Sequence, residues 1–225
     1  MGKPTPGSAC VSNGKFQCVD PTSALLCQSG KTVAMPCRGP NGCQGLGAAS
    51  TCDDDLAMEG DACQQTLNEN YACQVDHTKE LICKDGKFAV ARTCKGPKKC
   101  SVALNEINCD DSQADIGDTC VAEPGDANYA CSTDKKFEVV CEAASSKFVV
   151  SNTCRGSKGC WITDNTVHCD QTMAREGDQC RPVDNFSCSE DAKQELKCTA
   201  QFKWVKHRDC KHDGCKIKGS DVYCD

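Results

Sequence analysis

Apolar residues occur along this chain in short runs that end at cysteines, and longer polar stretches separate the runs. Each run alternates with polar positions in the way that is typical of half-buried strands. One segment shows the pattern clearly: an aromatic at Tyr71, an apolar pair before Cys83, the turn Asp85-Gly86, and a return strand that begins at Lys87. An Asp-Gly dipeptide permits positive φ and closes a β-hairpin. The pattern predicts three short strands per segment and no helix longer than a turn or two.

The same segment occurs four times. The chain has 225 residues and 24 cysteines, and the first cysteines of successive sets of six lie 53, 57 and 60 residues apart. A self-similar period of this length indicates tandem modules. The four sets are Cys10, Cys18, Cys27, Cys37, Cys43 and Cys52; Cys63, Cys73, Cys83, Cys94, Cys100 and Cys109; Cys120, Cys131, Cys141, Cys154, Cys160 and Cys169; and Cys180, Cys188, Cys198, Cys210, Cys215 and Cys224.

A second hairpin is predicted between the fifth and sixth cysteines of each set, which are always 9 residues apart. In the third set, a two-residue turn at Asp164-Asn165 places Cys160 directly opposite Cys169. The corresponding turns in the second and fourth sets fall at Leu104-Asn105 and Gly219-Ser220. A slip of one residue would move a cysteine to the other face, so the constant step is a register constraint. Among the possible pairings, it favours a disulfide between the fifth and sixth cysteines.

These patterns predict a small disulfide-rich all-β fold of four tandem modules, each a three-stranded sheet plus a two-stranded hairpin. The modules span 1–52, 63–109, 120–169 and 180–225, and acidic joints span 53–62, 110–119 and 170–179. The joints keep one length and repeat Cys-Asp-x-x-x-Ala-x-x-Gly-Asp-x-Cys, whereas a flexible tether has no reason to do so. We therefore expect the modules to dock in one repeated orientation and to stack as an extended rod.

Negative charge is concentrated at the joints, which carry −5, −4 and −2 against a net charge of −6 for the chain. The joint carboxylates either face the basic loop that follows each fourth cysteine, or hold a cation such as calcium, or are simply solvated. Exposed ion pairs contribute only ~0–1 kcal/mol, which favours solvation. The basic residues concerned are Arg38, Lys95, Lys98, Lys99, Arg155 and Lys158.

Composition indicates that cross-links replace much of the core. Aromatic residues make up only 5% of the chain and the mean hydropathy is −0.51. Three disulfides per module, at ~2–4 kcal/mol each in the chain-entropy picture, supply the missing stability. We predict that all 24 cysteines pair within their own modules. Disulfides on this scale imply an oxidising compartment, and so an extracellular or cell-surface location, although no export signal is present. No apolar run is long enough to span a membrane.

Other chemistries lack the residues they need. Metal–thiolate sites use cysteines two to four positions apart, whereas the closest pair here, Cys210 and Cys215, is five apart. No histidine recurs between copies and no nucleophile–base set is evident, so we expect neither an enzyme nor a cofactor. A pI of about 5.3 argues against nucleic-acid binding.

The return strands carry the aromatics Phe88, Phe148 and Trp204, and Trp161 lies on the second hairpin of the third module. If exposed, these rings would stack on sugars or anchor a protein partner; if buried, they form the miniature core. We favour the core for Phe88 and Phe148 and leave both tryptophans open. We also favour the core for the aromatic that stands two residues before each second cysteine, namely Phe16, Tyr71, Tyr129 and Phe186. Asn185-Phe186-Ser187 is the one glycosylation sequon, so Asn185 is a possible modification site.

Two resemblances follow from these motifs. The order Gly-Asp-x-Cys, Leu-x-Cys, Lys-Phe, Cys-Arg-Gly, Gly-Cys, Cys-Asp resembles tandem repeats in uncharacterised secreted bacterial lipoproteins, which implies a surface location. A three-stranded sheet, tight loop and hairpin with six cysteines resembles the chitin-binding peritrophin-A type module. That resemblance implies binding to a chitin-like polysaccharide and disulfides from fourth to fifth and from second to sixth cysteine.

Three classes of function remain. The leading hypothesis is a non-enzymatic structural or adhesive repeat protein, such as a surface stalk or a filament subunit. The second is a multivalent carbohydrate-binding array, and the third is a cysteine-rich inhibitor or ligand that acts through its basic loop. The corresponding partners are a second copy of the chain, joined head to tail with Asp225 leading into Pro4–Cys10 of the next, or a surface protein or polysaccharide.

Overall fold

The computed structural model describes residues 5–45, 49–65, 69–103, 106–122, 127–164 and 166–224. These residues form two compact units, one ending at Asp111 and the other beginning at Ser112, and each unit holds two modules. The predicted fold class is confirmed, because the described residues form short β-sheets linked by disulfides, with no α-helix. Accordingly, no element within the described ranges is a helix that could cross a membrane.

The first unit contains the first two modules. The strands of the first module are β1 (Phe16–Asp20), β2 (Ser23–Gln28), β3 (Lys31–Pro36), β4 (Cys43–Gln44) and β5 (Thr51–Cys52). Those of the second are β6 (Leu56–Ala57), β7 (Tyr71–Gln74), β8 (Lys79–Lys84), β9 (Lys87–Thr93), β10 (Cys100–Ala103) and β11 (Glu106–Cys109). The sheets have the orders β1-β2-β3 and β6-β7-β8-β9, and the pairs β4-β5 and β10-β11 are the second hairpins.

The second unit repeats this plan. The strands of the third module are β12 (Tyr129–Cys131), β13 (Phe137–Glu142), β14 (Lys147–Thr153), β15 (Cys160–Thr163) and β16 (Thr166–Cys169). Those of the fourth are β17 (Met173–Ala174), β18 (Phe186–Ser189), β19 (Gln194–Cys198), β20 (Trp204–Asp209), β21 (Cys215–Lys218) and β22 (Asp221–Cys224). The sheets have the orders β12-β13-β14 and β17-β18-β19-β20, with hairpins β15-β16 and β21-β22.

Turns and hairpin register agree with the sequence pattern. Asp85 and Gly86 have φ of 51° and 77°, the left-handed geometry that their hairpin requires. In all four modules the fifth cysteine lies directly opposite the sixth, as Cys160 does Cys169. The predicted turn at Gly219-Ser220 is also present, since Lys218 pairs with Asp221. Leu104, Asn105 and Asn165 lie outside the described residues.

The joints are built into the sheets instead of lying between them. β6 pairs in parallel with β7, and β17 pairs in parallel with β18, so these two modules have four-stranded sheets instead of the expected three. In the third module a single parallel bridge, Gln113 to Cys131, stands at the equivalent place. The alanine repeated in each joint is buried to 2% exposure in the core of the module that follows, at Ala57, Ala114 and Ala174. Each joint therefore folds as part of the module that follows it.

All 24 cysteines are paired within their own modules, as predicted. The connectivity is first to third, second to fifth and fourth to sixth, for example Cys63–Cys83, Cys73–Cys100 and Cys94–Cys109. The expected fifth-to-sixth bond is therefore wrong, and the pairs implied by the peritrophin resemblance are absent. The two facing cysteines of the hairpin point together at the sheet, and each bonds a different cysteine there. The constant step of 9 serves to staple the hairpin to the sheet at two points.

The second and third modules each have two small cores, one on either face of the sheet, whereas the described residues of the first and fourth modules form one core cluster each. In the second module the inner core contains Ala57, Cys63, Ala72, Leu81 and Phe88. The outer core lies under the hairpin and contains Cys73, Cys94 and Cys100, with Val102 and Ile107 at its edge. Cysteines and alanines make up three of the five buried residues of the inner core and all three of the outer core, which explains why so few aromatic residues suffice.

Candidate functional site

The return-strand aromatics are core residues. Phe88, Phe148 and Trp204 are exposed by only 2%, 1% and 1%, and each packs with the buried joint alanine of its module. A ring enclosed in this way offers no face to a sugar or a partner. These three residues therefore leave the candidate binding set, and a row of exposed return-strand aromatics does not exist. Thr32 takes their place in the first module, where its hydroxyl donates to the Thr5 carbonyl over 2.7 Å.

In the first three modules, the aspartate after the sixth cysteine closes the preceding basic loop. Asp170 is buried, and its carboxylate accepts hydrogen bonds from the Lys158 amide (3.1 Å) and the Thr172 hydroxyl (2.7 Å). In the first two joints, Asp53 accepts from the Asn41 amide and Asp110 from the Lys98 amide. A Cβ at the loop glycine, such as Gly156, would overlap this carboxylate. The loop glycine therefore leaves room for the joint aspartate, so the two repeated residues act together. Sequence spacing alone did not indicate this contact.

The loop arginines form ion pairs with the joints. Arg38 Nε lies 2.8 Å from Asp61 Oδ2, and Arg155 Nε lies 2.8 Å from Asp178 Oδ2. Arg155 also reaches Glu190 at 2.8 Å. These carboxylates raise the pKa of both guanidinium groups. Of the alternatives that the charge pattern left open, the structure shows carboxylates facing the basic loops at these two joints.

A groove opens beside each of these joints, between the second hairpin of one module and the start of the next. The groove in the second unit has a volume of about 530 Å³ and is lined by Trp161, Gln171, Arg181, Asn185, Phe186 and Ile217, among others. The equivalent groove in the first unit has a volume of about 350 Å³ and is lined instead by polar residues such as Asn41, Gln44, Asp54 and Asp55. Volumes of this size are typical of small-ligand sites.

Trp161 is half-buried and lies between two side chains. Its ring stacks on His168 with centroids 5.1 Å apart, and Lys158 Nζ lies 5.4 Å from the ring centroid. His168 is its cross-strand neighbour, so the stack also stabilises the hairpin. Asn185, the sequon residue, is exposed at the rim of the same groove. The expected core position is wrong for Phe186, which is 39% exposed at this groove because its cross-strand partner is Lys197 and not an apolar residue. Nothing in the sequence connected Phe186 with Trp161.

The groove in the first unit is acidic. Burial is the main cause that raises the pKa of Asp54, which accepts a hydrogen bond from Asn70 Nδ2 at 3.2 Å. Burial, followed by repulsion from Asp53, also raises the pKa of Asp55. These shifts oppose ionisation in the folded protein, so the acidic run costs stability at neutral pH. Nothing beyond the acidic cluster itself indicates a bound cation.

The other candidate ligands are already engaged. Cys37, Cys43 and Cys52 lie close enough to hold a metal, but each is bonded to another cysteine. His77 Nδ1 lies 2.8 Å from the Cys100 carbonyl oxygen. His207 packs edge-on against Phe186, with ring centroids 5.4 Å apart.

The joint grooves can therefore bind a ligand, and the modules present rigid surfaces. The other residues described above pack the cores of the modules or hold neighbouring modules together. Comparison with known proteins adds no name to this description: no protein-family model, no curated protein and no solved structure matches the chain.

Proposed function

We propose that this protein is a non-enzymatic, extracellular structural or adhesive repeat protein, of the kind that serves as a surface stalk or a filament subunit. The single observation that carries the proposal is the construction of the joints. A flexible linker would leave its backbone to solvent, whereas β6 and β17 are hydrogen-bonded into the sheet of the following module. Ordered joints of this kind are typical of proteins whose function requires a fixed relative position of neighbouring modules.

At the first joint, side-chain contacts also connect the first module to the second. Gln28 Nε2 donates to the carbonyls of Gly86 (2.8 Å) and Cys63 (3.3 Å), and Gln64 Nε2 donates to the Gly14 carbonyl (2.8 Å). With the Arg38–Asp61 ion pair, these bonds connect the first module to the second at separate points. Bonds spread over an interface resist both bending and twisting.

The disulfides suit the same role. Each module is closed by three cross-links: two connect the second hairpin to the rest of the module, and the third connects the first cysteine to the sheet. Cross-linking of this kind destabilises the unfolded chain by ~2–4 kcal/mol per bond. Such a module persists outside the cell, where no chaperone refolds it and glutathione does not reduce it.

The spread of distances between two modules tests this proposal. Val19 and Val75 are exposed residues of the first and second modules, at 46% and 42%. Because every cysteine is paired, spin labels would be attached through a non-canonical amino acid at these two positions. We expect a narrow distance distribution by pulsed electron paramagnetic resonance, and a broader one after Arg38→Ser. Glu106→Ser, which removes an exposed charge from the second hairpin of the second module, is the control. A broad distribution in the unsubstituted protein would overturn the proposal.

The groove beside Trp161 favours a second candidate, the binding of a carbohydrate. It combines a half-buried indole with the planar polar groups of Arg181 and Asn185, and sugars are commonly held by rings and planar hydrogen-bonding groups together. Of the two joint grooves formed by described residues, this one alone has such a composition, so we expect binding at one site and not along an array. Retention of the protein on insoluble polysaccharides, and its loss in Trp161→Ala, would support this function. Absence of retention across a broad glycan panel would rule it out.

The inhibitor hypothesis loses its main support. It required a basic loop that is free to meet a partner, whereas Arg38 and Arg155 are engaged with the joints of their own chain.

A further inference from the structure

The three- or four-stranded sheet of each module carries three directly opposed residues on its outer face, which is the face under the second hairpin. These three residues lie beyond the edge of that hairpin. The triad comprises the aromatic two positions before the second cysteine and its partners on the next two strands. We call this set the outer triad. Its members are Phe16, Leu26 and Val33; Tyr71, Ile82 and Ala89; Tyr129, Val140 and Val149; and Phe186, Lys197 and Val205.

Within the first unit, the second module covers the outer triad of the first. Leu26 is buried to 1% exposure, and Ala62 of the second module packs against the cluster that contains it. The adjacent residue Gln64 reaches back to the Gly14 carbonyl. A docking surface for a module is thus already visible inside one chain.

The second unit uses the same contact. Arg181 of the fourth module donates from Nη1 to the hydroxyl of Tyr129, the aromatic of the third module's outer triad, over 3.2 Å. Gln64 and Arg181 hold equivalent positions, each directly after the first cysteine of its module. The residue after the first cysteine therefore contacts the outer-triad side of the preceding module in both units.

Among the described residues, the positions equivalent to the two halves of this contact are also exposed in the first and fourth modules. Val11, the residue after the first cysteine of the first module, is fully exposed at 103%. At the other half, Phe186 and Val205 of the fourth module's outer triad are 39% and 37% exposed. Val11 is apolar, and the fourth module's outer triad combines the apolar Phe186 and Val205 with Lys197, whose Nζ lies 6.0 Å from the centroid of the Phe186 ring.

We propose that the outer triad of the fourth module in one copy of this chain receives the segment around Val11 from the first module of a second copy. The contact continues an interface already present twice within the chain, and it is heterologous, because two different surfaces meet. A heterologous contact that does not close on itself adds copies one after another. This inference rests on the proposed structural function, because it supplies the assembly step of a filament subunit.

The ion pair of the internal joints has no equivalent in this contact. Ser8 stands where the joints have Asp61 and Asp178, and Lys211-His212 stands where the basic loops have Arg-Gly. Ser8 already hydrogen-bonds the Thr5 amide through its hydroxyl, at 3.2 Å. The association between copies should therefore rest on apolar contact, grow with protein concentration and depend little on salt.

Two end-blocked variants test the proposal. Val11→Lys blocks one half of the contact and Phe186→Ser blocks the other, while Val19→Lys, at an exposed valine outside both halves, is the control. By analytical ultracentrifugation across a wide concentration range, we expect the unsubstituted protein and the control to form species larger than dimers. Each blocked variant alone should remain monomeric. An equimolar mixture of the two should form dimers and nothing larger, since only one productive contact remains.

Circular dichroism and a free-thiol assay establish that the variants are folded and oxidised. A monomeric parent protein at every concentration would overturn the inference, as would association that persists in either blocked variant or a mixture that stays monomeric. None of these outcomes bears on the distance distribution across the first joint, so failure of the assembly and failure of the structural role are distinguishable.

Discussion

The buried ion pair of the second module offers the sharpest test of the packing. Glu80 is exposed by only 4%, and its carboxylate accepts hydrogen bonds from Arg92 Nε at 2.7 Å and Nη2 at 3.3 Å. The first module places an apolar pair, Ala24 and Met35, at the same cross-strand position, and both are 1% exposed. The first module therefore shows how the same position packs when it carries no charge.

The magnitude follows from desolvation. Breaking a buried ion pair by removing one partner typically costs 3–5 kcal/mol, whereas replacing both partners by apolar groups is often neutral. The Arg92 side chain is 18% exposed, so water can partly reach the site, and we expect Arg92→Met to cost about 3 kcal/mol. The double change Glu80→Ala with Arg92→Met copies the first module. It should lie within about 1 kcal/mol of the parent, and should therefore be about 2 kcal/mol more stable than Arg92→Met alone.

Hydrogen exchange of the β8 and β9 amides measures the change in the free energy of opening of the second module. It does not require that all four modules unfold together. A cost of about 3 kcal/mol corresponds to roughly a hundredfold loss of protection. Arg208→Met in the fourth module is the matched control. Arg208 makes the same contacts with Glu195 but its side chain is 53% exposed, so its loss should cost about 1 kcal/mol or less. The reasoning is refuted if the double variant is as unstable as Arg92→Met, or if both arginine substitutions cost the same.

Three further outcomes are expected. Trp204→Ala should cost about 3–5 kcal/mol as a core truncation, and Trp161→Ala, at the groove, about 1 kcal/mol, with thermal unfolding as the measurement; equal losses would contradict these placements. Gly156→Ala should displace the Asp170 carboxylate and speed proteolysis at 170–179, while Ser157→Ala in the same loop should not. Asp54→Asn keeps the acceptor for Asn70 but removes a carboxylate whose raised pKa favours the protonated folded state, so it should raise Tm at neutral pH. That gain should fade toward about pH 4, where the parent carboxyl is protonated, and a gain independent of pH would contradict the argument.

The sequence alone determined the features that depend on local spacing. Four equal sets of cysteines established the modules, and alternation of apolar residues established the strands. A step of 9 residues placed Cys160 opposite Cys169, because strand register depends only on the turn between them. Constant joint length correctly indicated that the joints are ordered. The extended rod, which extrapolates from these joints, stays a prediction for small-angle scattering.

Tertiary structure alone decided which surfaces meet. Cys160 bonds Cys131 and not Cys169, because the hairpin lies on the sheet and both of its cysteines point there. Trp204 is buried while Trp161 borders a groove, although both lie in short β-strands. The two arginine–aspartate pairs likewise join residues 23 positions apart. Spacing along a strand reports only which face a side chain takes. What covers that face depends on segments distant in sequence, so their packing settles disulfide partners, buried rings and joint contacts.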